Sequence, residues 1–257
     1  MSGSLAGQVA IVTGGSRGMG RRFVDAMVGA GAKVAAIGRS GTDLDAVGAK
    51  HGDAVLPISC DISDSAAVRK AVDQVAGHFG RLDAIVNNAA IFEPFLMEKA
   101  TDEIVHRHVD INIKGVVWLI REAIPHLKAS KGQIVSITSE SVRMPYPMLA
   151  LYAATKAAVE TLSGGLRDEL RADDIRVAVL RSGAVSGSSG SQNWSPEIQQ
   201  VFYETIVRTG HASFSGASAT PESMAEALVA LLTMPRDVNI DLMEVRAAAS
   251  GSPIAGR

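Results

Sequence analysis

Tyr152 and Lys156 stand at i and i+4 in a stretch of good helix formers, Ala153-Ala154-Thr155-Lys156-Ala157-Ala158. A helix there sends the phenol and the ammonium out of one face, one turn apart. Their charges then couple. A phenol titrates near pH ~10, and an ammonium within a few ångströms is expected to lower it by roughly one to three units. That would ready Tyr152 to give or take a proton. Ser139 closes the apolar run Ile134-Val135-Ser136-Ile137, from whose end a strand can hold the hydroxyl beside the phenol to orient a substrate oxygen. The competing reading of any Tyr-x-x-x-Lys pair is a solvated helix face, because so short a pattern also arises by chance.

A second cluster lies at the N-terminus. Gln8 to Thr13 is a β-branched run that feeds Gly14-Gly15-Ser16-Arg17-Gly18-Met19-Gly20 and then a helical pattern to Ala30. Strand, glycine loop and helix follow in the order a dinucleotide site requires. Glycines let the backbone approach a pyrophosphate, and the helix N-terminus offers free N–H groups. Gly14, Ser16, Arg17, Gly18, Met19 and Gly20 are therefore candidate cofactor contacts.

The remaining elements must position these two clusters. Strands are expected at Lys33–Ile37, Ala54–Ser59, Leu82–Val86, Gln133–Thr138, Ile175–Leu180 and Val238–Val245. The second ends in Gly38-Arg39-Ser40, where an adenosine ribose would lie. After the third comes Asp61-Ile62; Asp61 either accepts a hydrogen bond from adenine or caps the helix that runs from Asp64 toward Phe79. The fourth closes in Asn87-Asn88-Ala89-Ala90, whose small residues let a cofactor ring approach. Thr101–Leu127 has the apolar pattern of one long helix buried on more than one side. Asn112 within it either bonds a neighbouring backbone group or disrupts the helix for a purpose. Glu140–Leu151 is a loop, and the helix carrying Tyr152 runs to about Arg171. After the sixth strand come Arg181-Ser182-Gly183-Ala184-Val185 and a Ser/Gly-rich segment, marking residues 186–219 as a substrate lid. Its helical stretch Ser195–Arg208 presents an apolar side either to substrate or to the core. Strand and helix alternate from end to end, which implies an α/β fold: one domain over residues 1–257, with a doubly wound, parallel, seven-stranded sheet.

Composition excludes several functions. The 257 residues are 47% hydrophobic with a formal net charge of -2, enough for a sizeable core and without the basic stripe that nucleic-acid binding needs. No apolar run approaches the ~18 residues that span a bilayer, so a soluble cytoplasmic protein with no membrane partner is expected. The single cysteine excludes an intramolecular disulfide, and the six histidines show no metal-ligand spacing. No metal site is expected.

Taken together, TGGSRGMG, CDI, NNAA, Asn112, Ser139 and YAATK, in this order and spacing, resemble the short-chain dehydrogenases/reductases over nearly the whole chain. The resemblance implies a single Rossmann domain that binds NAD(P), commonly as a homotetramer (alternatively a homodimer) built on the long helices near 101–128 and 152–171. It implies a catalytic tetrad of Asn112, Ser139, Tyr152 and Lys156, in which Tyr152 transfers the substrate proton and Ser139 holds the substrate oxygen. Lys156 would bind the nicotinamide ribose and acidify the tyrosine, while Asn112 positions a relay water. By the same resemblance Arg39, Ser40, Asp61, Ile62, Asn88, Ala89, Ala90, Ser182, Gly183 and Val185 join the cofactor contacts. Three departures stand out: Ala90 ends the Asn-Asn-Ala motif, Ser182-Gly183 replaces Pro-Gly, and Gly187 takes the place of the threonine that bonds the carboxamide, leaving Ser186 or Ser188 as substitutes.

The expected function is hydride transfer between NADP(H) and a secondary alcohol or ketone. A catalytically weak NAD(P)-binding sensor or structural protein is the alternative. NADP(H) is the preferred cofactor, with NAD(H) admissible, because Gly38 stands where NAD enzymes of this fold carry an acid, and Arg39, Ser40 and Arg17 surround that point. A Rossmann methyltransferase would want an acid there and has no use for the Tyr/Lys pair. Glu93, Phe95, Glu140, Arg143, Tyr146, Trp194, Phe202, Tyr203 and Phe214 are candidate substrate contacts, with Arg143 either clamping a carboxylate or lying on the surface. The ending PRDVNIDLMEVR, together with Pro145-Tyr146, looks more like members acting on hydroxy acids and small amino alcohols.

Overall fold

Short β-branched and apolar runs, each bounded by turn residues, form the seven strands of the computed structural model, which describes residues 4–187, 194–214 and 217–248. They are β1 (Val9–Thr13), β2 (Lys33–Gly38), β3 (Val55–Ser59), β4 (Ala84–Asn87), β5 (Gln133–Ser139), β6 (Arg176–Ser182) and β7 (Leu242–Val245). All pair in parallel in the order β3-β2-β1-β4-β5-β6-β7. Parallel neighbours need a crossover, and helices supply it: α1 (Gly18–Gly29), α2 (Gly41–His51), α3 (Ser65–Phe79), α4 (Asp102–Val109), α5 (Gly115–Ser130), α6 (Ala150–Glu169), α7 (Pro196–Arg208) and α8 (Pro221–Leu232).

The twofold alternation of a strand explains the two layers. Ala10 and Val12 face one side with Phe23 and Met27 of α1, Leu44 of α2 and Leu228 of α8. Val9 and Ile11 face the other with Val72 of α3, Leu119 of α5 and Val159 of α6. Both sides of the sheet are covered, so its strands read as nearly continuous apolar runs. Strand order reverses between β1 and β4, which opens a crevice at the carboxyl ends of β1, β4 and β5.

Three elements differ from the expectation. α2 was missed; it starts at Ser40, whose hydroxyl accepts from the Asp43 N–H, and ends at Gly52 with φ 55. The expected long helix is interrupted by a π turn at Asp110–Lys114, with Asn112 in its middle. β7 is shorter than Val238–Val245: Val238 closes a turn onto Pro235 O, and strand pairing begins only at Leu242. The Arg176 guanidinium donates to the carbonyls of Met234, Pro235 and Val238 at 2.9, 2.9 and 3.1 Å.

Candidate active site

The glycine loop is shaped by close approaches. Gly14 has φ 65, and a Cβ on Gly20 would lie 2.1 Å from the Gly14 carbonyl oxygen, so no larger residue fits this turn. Beneath it, Thr13 ties β1 to the end of β4: its hydroxyl donates to Val86 O and accepts from the N–H groups of Asn88 and Ala89. The Asn88 amide donates to Thr13 O at 2.8 Å. α1 then begins after Arg17 with no side-chain cap and no acidic residue in its first turn, whereas α2, α3, α4, α7 and α8 are capped by the side chains of Ser40, Asp64, Thr101, Ser195 and Thr220. Its first N–H groups are open to an anion, which is the donor set a pyrophosphate needs. The residues present fit a dinucleotide.

A cleft of about 930 Å³ runs from this loop over the sheet, at the upper end of the ~300–1,000 Å³ usual for ligand sites. Gly14, Ser16, Arg17, Met19 and Gly20 line it at one end with Arg39, Ser40, Asp61 and Ile62. Asn88, Ala89, Ala90, Ser139, Tyr152, Lys156, Ser182, Gly183 and Val185 line the rest. Gly18 does not; with φ 51 it turns the chain into α1. Ile91, Phe92, Ile111, Ser141 and Leu149 also line it, and no sequence signal singled them out, because loop residues reach a cleft through packing rather than periodicity.

At the catalytic end, Ser139 is the last residue of β5 and caps the short turn Glu140–Val142. Its oxygen accepts from the Ser141 N–H at 3.2 Å, which leaves the hydroxyl proton free to donate. Tyr152 lies in the first turn of α6. The Lys156 ammonium donates to Ile137 O at 2.8 Å and sits 5.8 Å from the centre of the Tyr152 ring. The electrostatics correct the expectation for the phenol. Burial pushes Tyr152 up to about 12, against a hydrogen bond from Ser139 that favours the phenolate. Burial likewise brings Lys156 down to about 8. The lysine points at a carbonyl rather than at the phenol oxygen, so desolvation outweighs charge coupling.

Asn112 is buried and outside the cleft lining. Its amide pairs both ways with the backbone of Ile91, accepting from N at 2.8 Å and donating to O at 3.0 Å, and donates to Thr155 Oγ1 at 3.1 Å. Thr155 in turn donates to Tyr152 O at 2.7 Å. Both expectations for this residue hold together: the π turn interrupts the α-helix, and the amide fastens the cleft segment after β4 to the helix of Tyr152. Asn112→Ala strips partners from buried groups, each loss costing about 1–3 kcal/mol, so urea unfolding should show a destabilisation of that order. An unchanged midpoint would contradict the clamp.

Several candidates take other places. Asp64 rather than Asp61 caps α3, and Asp61 accepts from the N–H and hydroxyl of Ser63 at 2.9 and 2.7 Å. The Ser40 hydroxyl is engaged as a cap. Arg17 pairs with Asp43, whose carboxyl is held below its usual range by Ser40 and that arginine. Arg143 is exposed, outside the lining, and bonded to Glu244 at 2.9 Å. Glu140, Tyr146 and Phe202 line the cleft. Trp194 does not; its ring packs on Phe92 and Phe202 at 5.0 and 5.2 Å, and its N–H donates to Phe92 O. Glu93 pairs with Arg107, and Phe95 packs on His108. Tyr203 is exposed. Ser186 donates to Ala219 O at 3.3 Å, whereas Ser188, the Phe214 side chain and positions 188–193 and 215–216 of the expected lid lie outside the described residues.

A protein-family model described as "short chain dehydrogenase" matches residues 8–198. A relative named 11-beta-hydroxysteroid dehydrogenase-like 3, from Arabidopsis thaliana, is 35% identical over 188 residues, covering 71% of this chain and 60% of its own length. The chain thus spans less than two thirds of that relative. An NADP-dependent 3-hydroxy acid dehydrogenase of Salmonella typhi is 29% identical over 242 residues, 92% of this chain and 94% of its own. Among solved structures, a 3-ketoacyl-(acyl-carrier-protein) reductase from Brucella melitensis complexed with NADH superposes with a TM-score of 0.80 at 31% identity, covering 94% of this chain and 98% of its own.

Proposed function

The chain belongs to the short-chain dehydrogenase family of oxidoreductases, and from that premise we propose that it interconverts a secondary alcohol and a ketone with NADP(H), Tyr152 giving or taking the substrate proton. The observation that carries this is the shared cleft: an uncapped helix start and glycine cradle at one end, and Ser139, Tyr152 and Lys156 together at the other.

A bound nicotinamide supplies or accepts the hydride; all other roles belong to the chain. Ser139, its oxygen fixed by the Ser141 N–H, donates a hydrogen bond to the substrate oxygen and keeps its proton. Tyr152, neutral at physiological pH, protonates that oxygen in reduction. Lys156 places a positive charge under the ribose and the developing phenolate. Asn112 holds the strand-to-cleft segment against α6, a positioning task, rather than reaching the reacting atoms with its side chain. α7 lays Phe202 over the cleft as part of a substrate cover. We take the protein to be cytoplasmic and to assemble as a homotetramer, or a homodimer, through α5 and α6, where Val117 is exposed on α5. No described helix is long and apolar enough to cross a membrane.

The preference for NADPH rests on Arg39. It lines the adenosine end and forms no ion pair among the described residues, whereas Arg17 is tied to Asp43. The second strand ends in Gly38 without an acid, and a Cβ there would stand 3.0 Å from Ser16 Oγ. Loss of one charge-assisted contact costs roughly 1.5–3 kcal/mol, about tenfold or more in affinity. Gly38→Asp/Arg39→Leu is therefore expected to reverse the preference, read from fluorescence titrations and steady-state kinetics with both cofactors. A wild type that favours NADH, or a double variant that keeps its preference, refutes this assignment.

A further inference from the structure

Beside the catalytic serine, five charged side chains at the carboxyl ends of β5, β6 and β7 and one from α6 form ion pairs with one another. Arg181 on β6 is bidentate to Glu160 of α6 at 2.5 and 2.9 Å and reaches Glu244 of β7 at 3.1 Å. Thr138 donates to Glu160 at 2.7 Å. Arg143 takes Glu244 at 2.9 Å, and Arg246 takes Glu140 at 3.2 Å. Three guanidiniums meet three carboxylates, so the network is neutral as it stands. Its one member on the cleft wall is an acid, Glu140, which is largely buried. Among the described residues lining the cleft, the only cations are Arg17 and Arg39 at the adenosine end and Lys156, whose ammonium is bonded to Ile137 O. Around Tyr152 the wall is otherwise uncharged: Phe92, edge-on to the phenol at 4.8 Å, with Ile111, Leu149 and Phe202, and beside them Ser139, Ser141 and Tyr146.

We infer that the substrate is an uncharged, largely apolar ketone or alcohol, and that the Glu140–Arg246 pair excludes carboxylate-bearing analogues. This rests on the hydride-transfer reading above and narrows it away from hydroxy acids. A carboxylate next to the reacting carbon would enter the cleft beside the Glu140 carboxylate, with the guanidiniums of Arg143, Arg181 and Arg246 already paired. Burying it unpaired, or breaking a pair to serve it, is costly either way. Arg246 is within reach of the cleft: a Cβ on Gly183, a lining residue, would lie 3.1 Å from its Cγ. Exclusion is therefore exerted by Glu140 through the arginine it occupies, and removing that charge should convert a barrier into a clamp.

The test compares benzylacetone with benzylpyruvate, which differ by a methyl group against a carboxylate. Wild type is expected to favour benzylacetone by about a hundredfold in kcat/KM. Glu140→Gln, which frees Arg246, should move that ratio toward benzylpyruvate by about tenfold or more. Glu140→Gln/Arg246→Gln, neutral at both positions, should lose the gain, which separates a freed arginine from a general loosening. The same ratios are read without turnover by calorimetric titration of the two alcohol products into NADPH-saturated protein. Discrimination in binding with no turnover under either nicotinamide would uphold this inference and refute the proposed function. Parity or preference for the acid in wild type, an unmoved ratio in Glu140→Gln, or binding of neither product would overturn the inference.

Discussion

Tyr152→Phe is expected to lower kcat by about a thousandfold in either direction while leaving NADPH affinity within about twofold. General acid–base groups contribute typically ~10²–10⁴ in rate, and this substitution deletes only the hydroxyl that transfers the proton. The ring and its edge contact with Phe92 at 4.8 Å remain, so the cleft keeps its shape. The Ser139 hydroxyl still orients the substrate oxygen but has no proton relay behind it. Stopped-flow reduction of a carbonyl panel, paired with fluorescence titration of NADPH, checks both halves. Activity within tenfold of wild type would remove Tyr152 from the mechanism.

Lys156→Ala should instead damage both properties, lowering kcat by about a hundredfold and NADPH affinity by about tenfold, since one buried ammonium serves ribose and phenol. Its pH signature is specific. Alcohol oxidation needs Tyr152 deprotonated; with the phenol pushed up to about 12, the oxidation rate climbs with pH, and because Lys156 is already neutral above about 8, the variant should lower that limb without moving it. Stability carries a second signature. Lys156 titrates at about 8 in the fold against an ordinary 10.5, so between those values the unfolded chain binds more protons and the unfolding free energy rises with pH. The rise amounts to about 3 kcal/mol, at ~1.4 kcal/mol per unit. Tyr152 works in the opposite sense above its ordinary 10.0, because its folded value is the higher one. Urea unfolding between pH 8 and 10 should show the rise in wild type and not in the variant. Unchanged NADPH affinity would defeat the double role.

Some of the site was legible because its signals are local. A β-branched run, a glycine loop and a helical pattern in immediate succession leave the chain few alternatives, and Thr13, Gly14 and Gly20 meet as that succession demands. The alternation of strand and helix likewise dictates a parallel sheet, since each crossover must return the chain to the same edge direction. α2 was signalled too, by Ser40 and Asp43 at its start and Gly52 at its end, but its apolar stripe is only Leu44 and Val47 among its buried residues. So short a stripe gives periodicity little to act on.

The charges were decided elsewhere. Arg17, Ser40, Arg143 and Glu140 each offered a residue type suited to a ligand, yet Arg17 found Asp43, Ser40 capped a helix, Arg143 found Glu244 and Glu140 found Arg246. These partners lie 26, 3, 101 and 106 positions away in the numbering. Three of the four pairings are created by sheet order or by packing of distant loops. Asn112 shows the same division: its type and its place in the helix announced a special role, but the Ile91 backbone and Thr155 became its partners only when α6 packed against the π turn. Sequence by itself determined the elements, the glycine cradle and the Tyr152/Lys156 spacing, because these depend on backbone geometry within a few residues. Tertiary structure decided which charges remain free, and raised the phenol instead of lowering it, because desolvation and long-range pairing depend on what surrounds a group in space.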